Sequence, residues 1–396
     1  MVVQASGFAG GLIVARALGA EARGVVALVA LTYRQAAVLA SLGLDSAILH
    51  FGARDQHDLR LRARRSLQVA LGQGLLAALG GWILLRTILG NAVSPAAGAV
   101  TIAALAAPAV LVLNYGNAAL RATGRLVEAA ALDALVGVST LAVIVAGVVT
   151  DRLGLAVVGA AAGTAFGAAL TALMVHRLSP SAGRRDRSGW AAHLRYGLAG
   201  HLGTIFQNLN YRLDFYLVAL LLSTTDLGVY ALAVAFAEAL LLLPDALGVV
   251  VMQRAAASPS AGRATEVTLR LGVGAACGGG ALLALTSRWA VPAVFGPGFA
   301  TVADTIVALL PGVVAVAIWK TLVNDLAGRG FPTVKSTSAA AALGLTVVAD
   351  LILIPRFGIV GAAAASSVAY TAAAIVAARR YRSVMGRSVS AMLVGR

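Results

Sequence analysis

The chain has 396 residues, of which 60% are hydrophobic before glycine is counted and only 12% are charged. Soluble domains reach about 45–50% apolar residues with glycine included, so a soluble core of this size could not bury so much apolar surface. The formal net charge is +15, but the sequence lacks the basic, aromatic-interleaved patches that hold nucleic acid, and we exclude nucleic acid as a partner.

Apolar runs follow one another along the chain, separated by charged or Gly/Pro-rich breaks. A helix needs about 20 apolar residues to cross the hydrocarbon core of a bilayer. The first run lacks the basic segment that begins a signal peptide, and we interpret it as a spanning helix. The pattern predicts an all-α, multi-pass membrane protein of about twelve transmembrane helices, near residues 2–18, 24–50, 66–89, 96–120, 126–150, 154–177, 193–222, 227–253, 267–287, 301–326, 334–355 and 358–380.

The positive charges are distributed unevenly between the two sides of these helices. Of the 31 Lys and Arg, 22 fall on one side, 6 on the other and 3 within predicted helices. Short cytoplasmic loops retain positive charge. The imbalance predicts that both termini are cytoplasmic. The high Ala, Val and Arg content suggests a bacterium, and we expect the protein in the inner membrane.

The sequence contains an internal repeat. Gly24-Val-Val-Ala-Leu-Val matches Gly228-Val-Tyr-Ala-Leu-Ala at an offset of 204, and Arg152-Leu-Gly matches Arg356-Phe-Gly at the same offset. Six helices per copy give both copies one orientation, as in carriers with parallel repeats and a substrate path between the halves. We predict a six-helix lobe over 1–178, a basic cytoplasmic linker over 179–192, a second six-helix lobe over 193–383 and a cytoplasmic tail over 384–396.

The seventh predicted helix is the most polar of the twelve. Its polar side chains form two adjoining stripes at helical spacing, so that about half of the helix surface is polar. This pattern predicts a helix that lines a water-filled cavity, and polar packing between helices is the alternative. The stripes consist of His201, Thr204, Asn208 and Arg212, and of Gln207, Asn210 and Asp214.

Two opposite charges occupy equivalent positions in the repeat. Arg34 in the second predicted helix and Glu238 in the eighth are separated by the same offset of 204. Each is about ten residues from the outer end of its helix, which at 1.5 Å per residue is about 15 Å deep, near the midplane. We predict that they line one cavity, with a structural ion pair between the lobes as the alternative.

Further ionisable residues lie along the predicted helices. Asp45 and Asp245 follow Arg34 and Glu238 toward the cytoplasm and are candidates, together with Glu238, for coupling or gating. Lys320 can extend its ammonium to the headgroups. Asp133 and Asp350 are single acids in apolar helices, and either could carry a coupling proton.

The sequence offers no catalytic constellation. The predicted outer loops have about three to twelve residues and contain neither paired carboxylates nor a histidine cluster. Cys277 is the one cysteine, which excludes disulfides and cysteine-rich metal sites. We therefore expect no catalytic residues, no metal site and no organic cofactor, and favour a transporter over an enzyme.

Five stretches resemble a known family when taken in order: Ala15-Arg-Ala-Leu-Gly-Ala-Glu-Ala-Arg-Gly24, Arg195-Tyr-Gly-Leu, Asn210-Tyr-Arg-Leu-Asp214, Gly228-Val-Tyr-Ala and Leu353-Ile-Pro-Arg-Phe-Gly-Ile-Val-Gly-Ala362. Together they are similar to the Wzx-type polysaccharide-biosynthesis flippases of the multidrug/oligosaccharidyl-lipid/polysaccharide (MOP) exporter superfamily. The resemblance implies two lobes in a MATE-like V, with the first, second, seventh and eighth helices lining the cavity. It also implies alternating-access movement of an undecaprenyl-diphosphate-linked oligosaccharide to the outer leaflet for cell-surface polysaccharide biosynthesis.

The resemblance assigns roles to the candidate residues. Arg34 and Arg212 would hold the diphosphate, since an arginine fork grips phosphate oxygens at two points. Glu238 and Asp214 would pair with these arginines in the empty state or bind a coupling H⁺ or Na⁺. The polar residues expected to contact the sugars are Gln207, Asn208 and Asn210, and His201 completes the predicted cavity lining.

Two other functions remain open. One is a MATE-like antiporter for small or drug-like cations, whose cavity would be acidic and aromatic. The other is a membrane-embedded glycan polymerase or transferase, which the short outer loops disfavour. A flippase would work in the bilayer beside a separate glycan polymerase and glycosyltransferases.

Overall fold

The computed structural model describes residues 2–54, 59–177, 190–257 and 262–394. These ranges are almost entirely helical and contain no strand, which confirms the predicted all-α class. The helices are α1 (Val2–Ala40), α2 (Leu44–Arg54), α3 (Leu59–Ile83), α4 (Gly90–Val93), α5 (Ala97–Ala104), α6 (Ala107–Ala122), α7 (Leu126–Val149), α8 (Leu153–His176), α9 (Trp190–Leu221), α10 (Thr224–Ala239), α11 (Leu242–Ala257), α12 (Gly262–Phe295), α13 (Val302–Gly328), α14 (Thr333–Met385) and α15 (Val389–Val394).

The helices of the described residues are long and apolar enough for a multi-pass membrane protein. Seven segments can cross a bilayer by length and composition, and two bent pairs raise that number to nine. The bent pairs are α1 with α2, at 57°, and α10 with α11, at 45°. Large apolar side chains such as Leu76 and Leu285, 72% and 76% exposed, suit contact with lipid, because lipid-facing helices must present apolar surface.

Two long helices each contain a break at a glycine. In α1 the break is at Gly19 (φ 83°), and in α14 it is at Gly358 (φ 59°, ψ −140°). Positive φ is readily adopted only by glycine, which has no Cβ to clash with the backbone. The 53 residues of α14 therefore contain the two helices predicted over 334–355 and 358–380.

The chain forms two compact units, residues 1–205 and 206–396. The boundary falls within α9, which is continuous from Trp190 to Leu221. Most of the linker predicted over 179–192 lies outside the described residues, which omit 178–189. The predicted lobe limits remain predictions. In the predicted tail, α15 packs Met392, 1% exposed, into the second unit.

Small residues let the helices of the first unit approach closely. A Cβ on Gly159 would lie 2.9 Å from Ile144 Cγ1, and one on Gly163 would clash with Thr140. Both contacts join α8 to α7. Because lipid tails are as apolar as side chains, helices in a bilayer associate by van der Waals packing rather than by exclusion from water. Gly159 and Gly163 therefore serve as packing residues between α7 and α8.

The second unit packs around α13 and α14. Trp319 is 3% exposed and donates from Nε1 to Ser338 Oγ at 2.8 Å. Alanines of the second half of α14 cover the same cluster, among them Ala373 and Ala377. This packing fixes α13 and α14 beside the polar part of α9.

Candidate functional site

The most exposed charged pair of the predicted site lies in the second unit. Arg212 of α9 and Glu238 of α10 are joined at 2.9 Å between Nη1 and Oε1, with side chains 31% and 46% exposed. The Arg212 guanidinium also lies 5.6 Å from the centroid of the Phe215 ring. A pair with this much exposed side-chain surface can exchange its partner for another charged group, because neither member is enclosed within the unit. Glu238 therefore pairs with Arg212, which lies in the same unit.

Asp214, two residues further along α9, is 2% exposed. Its carboxylate accepts hydrogen bonds from the Tyr230 hydroxyl, from the Phe215 N–H at 2.9 Å and from the Ser366 hydroxyl at 3.3 Å. These donors come from α10, from α9 itself and from the second half of α14. Asp214 thus lies inside the second unit, bonded to neutral donors, and does not share the exposure of Arg212.

One turn before Asp214, Asn210 is also buried, at 4% exposure. The Thr346 hydroxyl of α14 donates to Asn210 Oδ1 at 2.7 Å. One turn after Thr346 comes Asp350, which is fully buried and interacts electrostatically with Asp214. Within the described chain, neither carboxylate oxygen of Asp350 has a hydrogen-bond partner. We call these four residues, Asn210, Asp214, Thr346 and Asp350, the buried polar ladder.

The buried polar ladder arises from helical periodicity on two helices. Residues four apart lie on one face of an α-helix, so Asn210 and Asp214 stand one above the other on α9, and Thr346 and Asp350 do so on α14. The resulting arrangement brings two carboxylates together with amide and hydroxyl oxygens, which is the ligand chemistry that hard cations prefer. In the described residues, no group of three or more His, Cys, Asp or Glu side chains is arranged to bind a metal ion.

Asp245 is the acid of a second ion pair in the same unit. Its carboxylate contacts the Lys320 ammonium of α13, and the two side chains are 47% and 15% exposed. The ammonium lies 5.7 Å from the centroid of the Tyr211 ring. Lys320 thus pairs with a carboxylate from α11. The extension of its ammonium toward the headgroups stays a prediction.

The predicted site residues of the first unit have different environments. Arg34 of α1 is exposed, and no carboxylate of the described residues lies within ion-pair distance of it. Asp45, in the first turn of α2, is half-buried. His201 is 4% exposed, and its Nε2 lies 3.4 Å from the carbonyl oxygen of Leu39. His201 therefore packs against the end of α1.

The remaining predicted residues, Gln207 and Asn208, are half-buried on α9. The structure thus places the charged candidates of the second unit in the Arg212–Glu238 pair, in the Lys320–Asp245 pair and in the buried polar ladder. The sequence did not indicate Thr346 as a member of the ladder, nor Tyr230 and Ser366 as hydrogen-bond donors to Asp214. The spacing of Thr346 and Asp350, four residues apart in an otherwise apolar helix, was an available signal for one of them.

Such a bundle of apolar helices with charged and polar side chains inside a unit is typical of membrane transport proteins. The chain belongs to the polysaccharide biosynthesis protein family, whose model matches residues 13–313. This result confirms the family that the five sequence stretches predicted. No curated protein sequence matches the chain.

Solved structures of the MOP superfamily share the fold. An inward closed conformation of the lipid II flippase MurJ superposes with a TM-score of 0.81 at 10% identity, covering 99% of this chain and 87% of that one. An inward-facing multidrug resistance MATE transporter gives a TM-score of 0.78 at 18% identity, covering 99% and 95%. A MOP superfamily transporter from Pyrococcus furiosus, described as having a binding pocket of reverse polarity, gives 0.64 at 18% identity, covering 99% and 93%. The predicted MOP-type, multi-pass membrane fold is confirmed.

Proposed function

We propose that the protein is a flippase that moves a polyprenyl-diphosphate-linked oligosaccharide from the cytoplasmic to the outer leaflet by alternating access. Membership of the polysaccharide biosynthesis family supports a glycan-bearing cargo, and the fold that the chain shares with MurJ supports a lipid-linked one. Such a cargo carries a diphosphate between a polar glycan and an apolar chain. The protein must therefore offer cations to the diphosphate while leaving the polyprenyl chain in lipid.

The exposed ion pair of Arg212 and Glu238 carries this proposal. An arginine on a spanning helix is costly unless it faces a partner or water, and Arg212 has the Glu238 carboxylate as its partner. A diphosphate offers the guanidinium more acceptor oxygens than one carboxylate does, so cargo can displace Glu238. Arg34, exposed on α1, is the corresponding diphosphate ligand of the first unit.

We propose that the buried polar ladder binds the coupling ion, H⁺ or Na⁺. An ionised carboxylate that is buried without a partner is strongly unfavourable, and Asp350 lies beside a second acid, Asp214. A proton or a sodium ion would relieve that repulsion. The oxygen atoms of Asn210, Thr346 and Ser366 could complete the coordination of Na⁺.

A cation antiporter is the second candidate, and the same ladder favours it. The shared fold with a multidrug resistance MATE transporter fits either cargo. The cations Arg34 and Arg212 favour the anionic cargo, because positive charges on the protein would repel a cationic drug.

The cellular setting of the proposal follows from the charge distribution and the cargo. Most Lys and Arg lie on the side of the chain termini, which supports an inner-membrane protein with both termini in the cytoplasm. Transport of an unmodified cargo needs no catalytic group. Glycosyltransferases that build the glycan and a polymerase that extends it are the proposed partners.

The test is transbilayer movement of a fluorescent undecaprenyl-diphosphate oligosaccharide in proteoliposomes. We expect wild type to move the lipid, and Arg34→Ala and Arg212→Ala to lose most of this activity while staying folded. Arg288→Ala is the matched control, since Arg288 is a 75% exposed arginine paired with Asp304 at 3.2 Å. If the protein exchanges small cations for protons and moves no lipid, the flippase proposal fails and the antiporter takes its place.

A further inference from the structure

The ion pair of Lys320 and Asp245 is asymmetric in its exposure. The Lys320 side chain is 15% exposed, whereas that of Asp245 is 47% exposed. The lysine belongs to the interior of α13, eight residues before its end at Gly328. The acid lies in the first turn of α11, just after the bend from α10. The carboxylate is therefore the member of the pair that can leave, and the ammonium is the member that stays.

Aromatic rings hold the Lys320 ammonium in place. The ammonium lies 5.7 Å from the centre of the Tyr211 ring, within the range of a cation–π interaction. Tyr211 is itself in edge-to-face contact with Trp319, at 6.5 Å, and with Tyr370, at 5.5 Å. This support keeps the cation positioned when its carboxylate partner is absent.

A second lysine, on another helix, interacts electrostatically with the same carboxylate without contacting it. Lys335, in the first turn of α14, interacts electrostatically with Asp245 and with Lys320. Within the described residues, Asp245 is the carboxylate that attracts Lys335, and no acid lies within ion-pair distance of it. Two ammonium groups thus share one carboxylate, which leaves the cluster short of negative charge.

Exposed leucines precede the acid of the cluster on its helix. Leu242 and Leu243 precede Asp245 on α11 and are 40% and 47% exposed. An anion that reaches this site meets exposed hydrocarbon next to two ammonium groups. A polyprenyl diphosphate combines these two chemistries, since its headgroup carries more than one negative charge and its tail is a hydrocarbon.

We propose that Lys320 and Lys335 form a diphosphate-binding site for the polyprenyl carrier, and that the Asp245 carboxylate occupies the Lys320 ammonium until the diphosphate displaces it. This inference rests on the proposed flippase function and adds a second anion site to the one at Arg212. On the predicted topology the site faces the cytoplasmic leaflet, where the cargo is loaded.

The experiment measures binding of farnesyl diphosphate, a short polyprenyl diphosphate, to the purified full-length protein in nanodiscs. Lys320→Gln removes a charged partner and is expected to weaken binding about tenfold or more, with a smaller loss for Lys335→Gln. Asp245→Asn removes the competing carboxylate and is expected to tighten binding several-fold. Asp304→Asn, which breaks the exposed pair with Arg288, is the matched control and leaves binding unchanged.

Lys320→Gln and Asp245→Asn are expected to change the affinity in opposite directions, which distinguishes a binding site from a structural ion pair. If Asp245→Asn weakens binding as much as Lys320→Gln, the pair only holds helices together and the proposal fails. Thermal unfolding of each variant checks the fold, and Lys335→Gln retains the Lys320–Asp245 pair if Lys320→Gln does not fold.

Competitors identify the source of the phosphate. Farnesyl diphosphate is expected to compete better than farnesyl monophosphate, inorganic pyrophosphate or phosphatidylglycerol. Equal competition by phosphatidylglycerol would show that the site binds lipid headgroups in general. Equal competition by pyrophosphate would show that the polyprenyl chain contributes nothing to binding. Either result overturns the proposal. If Lys320→Gln still transports the lipid, this site is rejected and the flippase proposal stands. If wild type binds the diphosphate through Lys320 but moves no lipid, the flippase proposal is rejected.

Discussion

Arg212 of α9 and Glu238 of α10 form an ion pair at 2.9 Å, although the side chains keep 31% and 46% of their surface exposed. Their neighbour Asp214 is buried two residues away among neutral donors. Two nearby positions of α9 therefore differ: Arg212 can exchange its partner, whereas Asp214 is held by its hydrogen bonds. This difference in exposure determines what each variant is expected to do.

Breaking the exposed pair is expected to change function more than stability. Ion pairs open to solvent contribute about 0.2–1 kcal/mol, so Glu238→Gln is expected to lower the free energy of unfolding by less than about 1 kcal/mol. Because the variant frees Arg212, binding of a polyprenyl diphosphate is expected to tighten. Thermal unfolding and ligand titration measure the two effects. A large loss of stability with unchanged binding would make the pair a structural clamp.

Removing the charge of Asp350 is expected to abolish the response to the coupling ion. A cation that binds only the folded state stabilises it by RT ln(1 + [L]/Kd), so the Tm of wild type should rise with Na⁺ or with acidification. Asp350→Asn should be at least as stable as wild type in neutral, Na⁺-free buffer, because it no longer buries an unpartnered carboxylate. Its Tm should not respond to the ion, whereas Asp304→Asn should respond like wild type. An unchanged response in Asp350→Asn would contradict the proposed role of the ladder.

The contact between Gly43 and Gly197 is expected to tolerate no side chain. A Cβ on Gly197 would lie 2.7 Å from the Leu42 carbonyl oxygen, and one on Gly43 would clash with the Gly197 backbone. Gly197→Ala should therefore lower the free energy of unfolding by about 1–3 kcal/mol. On the same helix Gly200 has open space around it, and Gly200→Ala should be neutral or stabilising by up to about 1 kcal/mol. Thermal unfolding in detergent compares the two, and equal effects would refute the close approach.

The break in α14 is expected to depend on glycine for a backbone reason alone. A Cβ on Gly358 would meet no atom within 4 Å, but its φ of 59° with ψ of −140° suits glycine only. Gly358→Ala should cost about 1–3 kcal/mol. Gly344 lies in the same helix with equally open space and without a positive φ, so Gly344→Ala is the control and should be neutral or stabilising. Tm values of the two variants decide between strain and simple helix propensity.

The helices were largely predictable, but some of their breaks were not. The predicted helix over 227–253 is two helices, α10 and α11, bent by 45°. Pro244 follows the bend, and in a straight helix its ring would clash with the carbonyl four residues earlier, at Leu240. This signal is present in the sequence. Periodicity identifies a continuous apolar run and cannot show whether a bilayer span is straight or bent.

The site was predictable only as a set of polar positions on α9. Helical spacing correctly separates Arg212 from the face of Asn210 and Asp214, but it does not reveal what each face meets. Thr346 and Ser366 lie more than 130 residues away in sequence and approach Asn210 and Asp214 only through the packing of α14. The pairing of Lys320 with Asp245 was not predictable from the sequence for the same reason, since the two residues are 75 positions apart.

The bend between α10 and α11 gives the two exposed acids a common dependence. Glu238 lies in the last turn before the bend and Asp245 in the first turn after it, so the bend angle sets the distance between their carboxylates. A ligand that draws one acid away from its cation and thereby changes that angle would also alter the ion pair of the other acid, and any such coupling is equal in both directions. The bend between α10 and α11 can thus make occupancy at Arg212 and occupancy at Lys320 depend on each other.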